Sequence, residues 1–274
     1  AARDNAGIMG IAWNATLLMA RADTAGSCAT AKGCSFNDTN IAAGLDRAVT
    51  DGAKVVNISL GGDPASPTMV AAMQRAAAAG VVVVVSAGND GTANVDPFAA
   101  DLRAAGNGNV IIAGSVNDQS QISSFSNKAG SEAQNYLAAL GESICCTYAN
   151  GIIKVTVQNG QQFIEVSSGT SFAAPQIAGA AALLLQAFPN LTATQVVSLL
   201  LSSAKDAGAA GTDATFGRGI LDIAAAFTPQ GTTHVAGTTT QLVLNSTTAT
   251  TSPAMGDATQ HGSGLTAMVL DSYG

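Results

Sequence analysis

Two short segments of this sequence combine residue types that acyl-transfer chemistry needs. In Gly169-Thr-Ser-Phe-Ala-Ala-Pro175 a serine hydroxyl has small neighbours, Gly169, Ala173 and Ala174, which leave room for a carbonyl carbon to approach Ser171. The stretch from Phe172 to Ala187 is helical in composition, so Ser171 is expected at a helix N-terminus, where developing negative charge is favoured. In Ser86-Ala-Gly-Asn-Asp-Gly91, Asn89 lies in a Gly-rich turn just after the valine run Val81–Val85. There its side-chain amide is placed to donate to an oxyanion beside the Ser171 backbone N–H. Each residue taken singly has a plainer reading: a helix-start serine is usually an N-cap, and an asparagine beside glycine usually makes a turn.

The elements around these segments are legible from pattern. Val55 to Leu60 reads as a buried strand, Ser66-Pro67 as an N-cap followed by an N1 proline, the stretch to Ala79 as a helix closed by Gly80, and Val81 to Ser86 as the next strand. This βαβ unit puts the loops after Leu60 and after Ser86 at one sheet edge, where the carboxyl ends of parallel strands face a ligand crevice. Ile152 to Val157 and Gln162 to Val166 alternate around Asn159-Gly160, the mark of a hairpin, which leads directly into Ser167-Ser-Gly-Thr-Ser171. Thr192 and Gln195 form a Thr-x-x-Gln capping box for a further helix. Strand-like runs alternating with Ala-rich helices over residues 1–228 imply an α/β domain, a mostly parallel sheet covered on both faces. Residues 229–274 are Thr/Ser/Gly-rich and read as a linker or a set of weak strands.

Three segments, Val56-Asn-Ile-Ser-Leu-Gly-Gly62, Ser86-Ala-Gly-Asn-Asp-Gly91 and Gly169-Thr-Ser-Phe-Ala-Ala-Pro175, together resemble the subtilisin-like serine peptidase family in type and order. The resemblance implies a three-layer α/β/α fold and a serine endopeptidase, with Ser171 as nucleophile and Asn89 as oxyanion donor. It also implies that Ser59, Leu60 and Gly61 pair with an extended substrate backbone. Ala87 and Gly88 would line the primary specificity pocket, and Thr170 would bind substrate beside the nucleophile. Protein or peptide substrates follow, with a broad preference for apolar or aromatic residues before the scissile bond. Ala1 to Ala12 looks like the end of the family's histidine-bearing helix and the loop after it. The fold would then be incomplete at the N-terminus, and the catalytic Asp and His would precede Ala1, since the order is Asp, His, Ser. Without them Ser171 has no general base, so the fragment alone is expected to be inactive. Gly231-Thr-Thr-His-Val-Ala-Gly237 echoes a family motif, but in that alignment the catalytic histidine falls on Gly231, so His234 is read as coincidental. The chemistry needs no cofactor and no metal. Calcium is common in the family, yet the Arg3 to Ile8 loop looks shorter than the calcium-binding version.

Composition narrows the rest. A net charge of -7 with 11% charged residues leaves no basic surface for nucleic acid or anionic lipid. The apolar run Ile177 to Leu185 is far short of the roughly 20 residues a spanning helix needs. Cys28 and Cys34, close together in a polar loop, suit a surface disulfide in an oxidising compartment or two unpaired thiols; the adjacent Cys145 and Cys146 are expected reduced or buried. The tail through Ala254-Met-Gly-Asp and Gly264 to Gly274 looks like the segment joining passenger to outer-membrane barrel in bacterial autotransporters. That places the chain outside the cell or on a bacterial surface, with a C-terminal barrel as partner. Two rival readings stand beside these. A pseudopeptidase would bind peptides without cleaving them. An α/β-hydrolase would use Ser171, then Asp213 or Asp222, then His234 or His261.

Overall fold

The computed structural model describes residues 9–29, 34–146, 148–149, 152–243 and 268–274, and the chain divides into two compact units, Ala1–Ile223 and Ala224–Gly274. In the first, strands β1 (Val55–Ile58), β2 (Val82–Ser86), β3 (Val110–Val116) and β4 (Tyr136–Leu140) lie side by side in chain order as a wholly parallel sheet. Parallel neighbours require crossovers, and helices α2 (Pro67–Ala78) and α3 (Pro97–Ala105) supply two of them, while α1 (Asp38–Thr50) precedes β1. The start of α2 is built as its residues predict: Pro67 occupies the first turn, and the Ser66 side chain accepts from the Met69 N–H at 3.4 Å. Its end comes at Gly80, whose φ of +71° a β-carbon would resist.

The valine-rich strands are buried on both faces, as central parallel strands must be. Val83, Val85, Val110 and Ile112 join Met69, Met73, Phe98 and Leu102 in one core. The alternate residues Val82, Val84, Ile111 and Ala113 are equally buried and point the other way. On that face helix α4 (Thr170–Ala187) touches all four strands, and α5 (Ala193–Ser202) packs on α4. The layering is therefore α/β/α, as the resemblance implied. At α5 the Thr192/Gln195 capping box is present with both reciprocal hydrogen bonds.

An antiparallel excursion separates β4 from α4. Strand β5 (Ile144–Cys145) leaves, then β6 (Tyr148–Ala149), β7 (Ile152–Ile153), β8 (Val155–Gln158) and β9 (Gln161–Ile164) follow, and β10 (Val166–Ser167) returns to pair with β5. The β8–β9 turn is the Asn159-Gly160 pair, both left-handed at φ 51° and 77°, which is what a two-residue hairpin of matching twist demands. The hairpin is shorter than the sequence pattern suggested, Val155–Ile164 in place of Ile152–Val166, because Ile152–Ile153 pairs with Tyr148–Ala149.

In the second unit the Thr-rich stretch forms short strands, β11 (Thr233–Val235) flanked by β12 (Gln241–Leu242) and β13 (Val269–Leu270), antiparallel to both. Cys28 and Cys34 are bridged at the surface of the first unit. Cys145 and Cys146, which the sequence led us to expect reduced or buried, are half-buried. The Arg3 to Ile8 loop, His261 and the tail from Ala254 to Gly264 lie outside the described residues.

Candidate active site

Ser171 is the second residue of α4, and Gly169, not Ser171, is the N-cap. Gly169 has no side chain to offer the first turn, so the cap comes from another segment: Asn89 Oδ1 accepts from the Thr170 N–H at 2.8 Å and from Thr170 Oγ1 at 3.0 Å. With its carbonyl end taken twice, the Asn89 amide is fixed in orientation and its Nδ2 end faces away from Thr170. The N–H of Ser171 belongs to the first helical turn and has no acceptor within the helix. Asn89 Nδ2 and the Ser171 N–H are thus two donors left over near the start of α4. Thr170 itself is wholly buried, and its hydroxyl also reaches Gly88 O at 3.4 Å. Its side chain is spent holding the Asn89 turn against α4.

Pro175 explains a second contact. A proline at this position removes the N–H that would have bonded the carbonyl of Ser171 four residues back. The vacated acceptor is taken by Ser59 Oγ at 2.9 Å, and Ser171 Oγ donates in return to Ser59 O at 3.2 Å. Asn57 Nδ2 supports Ser59 Oγ at 2.9 Å. The loop after β1 is in turn tied to β2 by Ser86 Oγ donating to Leu60 O at 2.9 Å. The loops after β1 and β2, expected at one edge, therefore do meet, with Ser171 between them.

Beneath these loops lie two residues that the sequence motifs did not mark. Asn127 is 1% exposed and uses all four positions of its amide. Its Oδ1 accepts from the Asp90 and Thr92 N–H groups at 3.0 and 3.1 Å, and its Nδ2 donates to Ala87 O at 3.1 Å and Asp96 Oδ1 at 2.7 Å. Asp96 joins the two walls. Its N–H donates to Ala87 O at 2.8 Å, and its carboxylate lies so close to Gly61 and Gly88 that a β-carbon on either would collide with it. Gly88 is also at φ +103°, so glycine is required there twice over. Burial, then the nearby Asp90 charge, pushes the Asp96 carboxyl above the usual carboxylate range, partly offset by the Gly62 N–H and Asn127. Asn127 stands in a Ser-rich run, and nothing local says which loop it holds.

Ser171 Oγ has no imidazole or carboxylate hydrogen-bonded to it among the described residues. His234, the one described histidine, is on β11 in the second unit, opposite Gln241 and Leu270. Among the described residues no group of three His, Cys, Asp or Glu side chains could hold a metal ion, and no helix is long and apolar enough to cross a membrane. A concavity of about 350 Å³ between Ala12–Ala15 and Ala182, Leu183 and Gln186 lies at the far end of α4 and contains no residue of this site.

Comparison with known proteins gives the same picture. Residues 1–219 match the subtilase family, peptidase S8. The chain is 32% identical to Subtilisin DY of Bacillus licheniformis over 230 residues, covering 82% of this chain and 73% of that protein. It is 31% identical to Subtilisin E of Bacillus subtilis (strain 168) over 183 residues, 67% of this chain but 43% of that one, so it spans less than half of that relative. Among solved structures, the patellamide maturation protease PatA aligns with a TM-score of 0.54 at 30% identity over 70% of this chain and 68% of that one. The prenylagaramide maturation protease PagA aligns at 0.56 and 25%, over 71% and 68%.

Proposed function

This chain belongs to the subtilase family of serine peptidases, and from that premise we propose that it is the nucleophile-bearing part of an endopeptidase that forms an acyl-enzyme on Ser171. The observation that carries the reading is the locked pair at the start of α4: Thr170 turns the Asn89 amide so that its donor end and the Ser171 N–H are both unspent. In the reaction Ser171 Oγ leaves its resting bond to Ser59 O and attacks the scissile carbonyl, while the carbonyl oxygen gathers charge between Asn89 Nδ2 and Ser171 N–H. An imidazole must take the Ser171 proton and return it to the leaving amine. We assign that base, and the Asp that orients it, to sequence preceding Ala1, which agrees with the family order Asp, His, Ser. Water then hydrolyses the ester by the reverse path.

Substrate lies along Ser59, Leu60 and Gly61, bonded through backbone groups, which suits an enzyme acting on many protein or peptide sequences. Ala87 and Gly88, both buried, back the opposite side, with Thr170 behind them. No cofactor takes part. A secreted or cell-surface location fits the bridged, exposed Cys28–Cys34 pair and the names of two similar proteins, the Extracellular serine protease of Serratia marcescens and the Minor extracellular protease Epr of Bacillus subtilis (strain 168). An outer-membrane barrel as partner would show in the gene as segments of about ten residues with alternating hydrophobicity.

The test is treatment of the full gene product with a fluorophosphonate probe, followed by peptide mapping. An adduct at Ser171, lost in Ser171→Ala, supports the endopeptidase. A folded protein that forms no adduct is a pseudopeptidase, and peptide binding without cleavage is then its function. Family membership favours both over the α/β-hydrolase reading, and His234→Ala leaving the labelling intact would dispose of that one.

A further inference from the structure

The cleft proposed above has a floor as well as walls, and the floor carries a charge. Asp96 lies between the segment after β1 and the segment after β2, with Oδ2 crowding the place a β-carbon on Gly61 would take and Oδ1 the place of one on Gly88. Both flanking positions are glycine, which lets the carboxylate sit there at all. Asp96 is half-buried. One of its oxygens takes the Asn127 amide. No lysine or arginine pairs with it among the described residues, although Arg21, Arg47, Arg75, Arg103 and Lys154 each pair with another acid. The charge that acts on it is a second carboxylate, Asp90. A partly desolvated negative charge with no cation of its own is costly to hold, and a cation brought by a ligand relieves that cost.

We propose that Asp96 sets the primary specificity of this peptidase, receiving a lysine or arginine side chain of the residue before the scissile bond. The inference rests on the reading of Ser171 as nucleophile. It replaces the apolar or aromatic preference expected from sequence resemblance. The wall contacts put Asp96 in the right place for this. Ser171 touches Ser59 at the mouth, and Thr170 touches Gly88 and Asn89. Asp96 meets both Gly61 and Gly88, so a side chain entering between these two segments from an acyl group on Ser171 would run toward its carboxylate.

The experiment uses the full gene product, with the competent fraction counted by fluorophosphonate titration, and peptides that differ only in the residue before the scissile bond. With a half-desolvated ion pair at stake, kcat/KM for Lys or Arg should exceed that for Phe or Leu by about 100-fold. Asp96→Asn should bring the Lys-to-Phe ratio to within about threefold of unity, and Asp96→Lys should turn the preference toward Asp or Glu. A titrated wild type that cleaves after Phe or Leu as well as after Lys overturns the proposal, and so does an Asp96→Asn enzyme that keeps the Lys preference. Should the variants fail to fold, the wild-type ratio still decides. Should no adduct form at Ser171, the peptidase reading fails by itself. The affinity of peptides ending in Lys against those ending in Phe then decides on Asp96: equal affinities refute it.

Discussion

Replacing Asn127 by alanine should destabilise the first unit by an amount the structure lets us work out. Its side chain makes four hydrogen bonds, two accepted from the Asp90 and Thr92 N–H groups and two donated to Ala87 O and Asp96 Oδ1. At roughly 1 kcal/mol net for each, their loss has a ceiling of about 4 kcal/mol. Not all of it will be felt. Asp90 and Thr92 are exposed and can turn to water, and Ala87 O keeps the Asp96 N–H. What remains is the stranded Asp96 oxygen, the emptied amide site and the loosened loop, about 2–3 kcal/mol together. For a unit of this size that corresponds to a fall of about 4–12 °C in Tm, read by calorimetry on the full protein. Asn127→Asp supplies the control, since it preserves shape but abolishes the donor and sets a second carboxylate against Asp96. It should be worse than alanine at neutral pH. A Tm within about 2 °C of wild type for Asn127→Ala, or an aspartate milder than alanine, would refute the clamp.

Other outcomes follow from the same geometry. Asn89→Ala should lower kcat by about 100- to 1000-fold with little change in KM, the loss known for an oxyanion donor of this kind in a subtilisin; an unchanged kcat would remove Asn89 from the reaction. Ser59→Ala leaves the Ser171 carbonyl, already without its helical donor because of Pro175, with no partner at all, and should cost about 1–2 kcal/mol in urea unfolding. Unchanged stability would mean water replaces Ser59 at no cost. Protonation removes the charge of Asp96, and its carboxyl lies above the usual range, so preference for Lys should hold at neutral pH and shrink as pH falls through that raised value. A ratio of Lys to Phe cleavage constant down to about pH 3 would exclude Asp96 from recognition.

Much of this was legible in the sequence wherever the deciding interaction is local. Ser66 caps α2, Thr192 and Gln195 box α5, and Asn159-Gly160 turns the hairpin, because each involves residues within four positions of one another. The place of Ser171 at a helix start was readable for the same reason. What was not readable is tertiary. The cap of α4 comes from Asn89, eighty-one positions away, so local pattern left Ser171 as a candidate N-cap that the structure shows it is not. The resemblance put Thr170 against substrate, yet it is buried under the Asn89 turn. Asp96 reads locally as nothing more than the residue before a helix-starting proline, and its side chain makes no cap bond. Its meaning comes from Gly61 and Gly88, which approach it only after the sheet has formed.

The excursion between β4 and α4 has a consequence for how such a protein can change. Cys145 stands directly opposite Val166 across the β5–β10 pair, so everything between them departs and returns through one doorway. Gly169 is held to the outgoing side by its N–H to Gly141 O at 2.8 Å, downstream of that doorway. The distance from β4 to Ser171 is therefore set at the neck and is indifferent to what hangs beyond it. Doubling the hanging segment costs only about 0.6 kcal/mol in closure entropy. Material can be added, trimmed or exchanged there over evolutionary time, or by grafting, while Ser171 keeps its address.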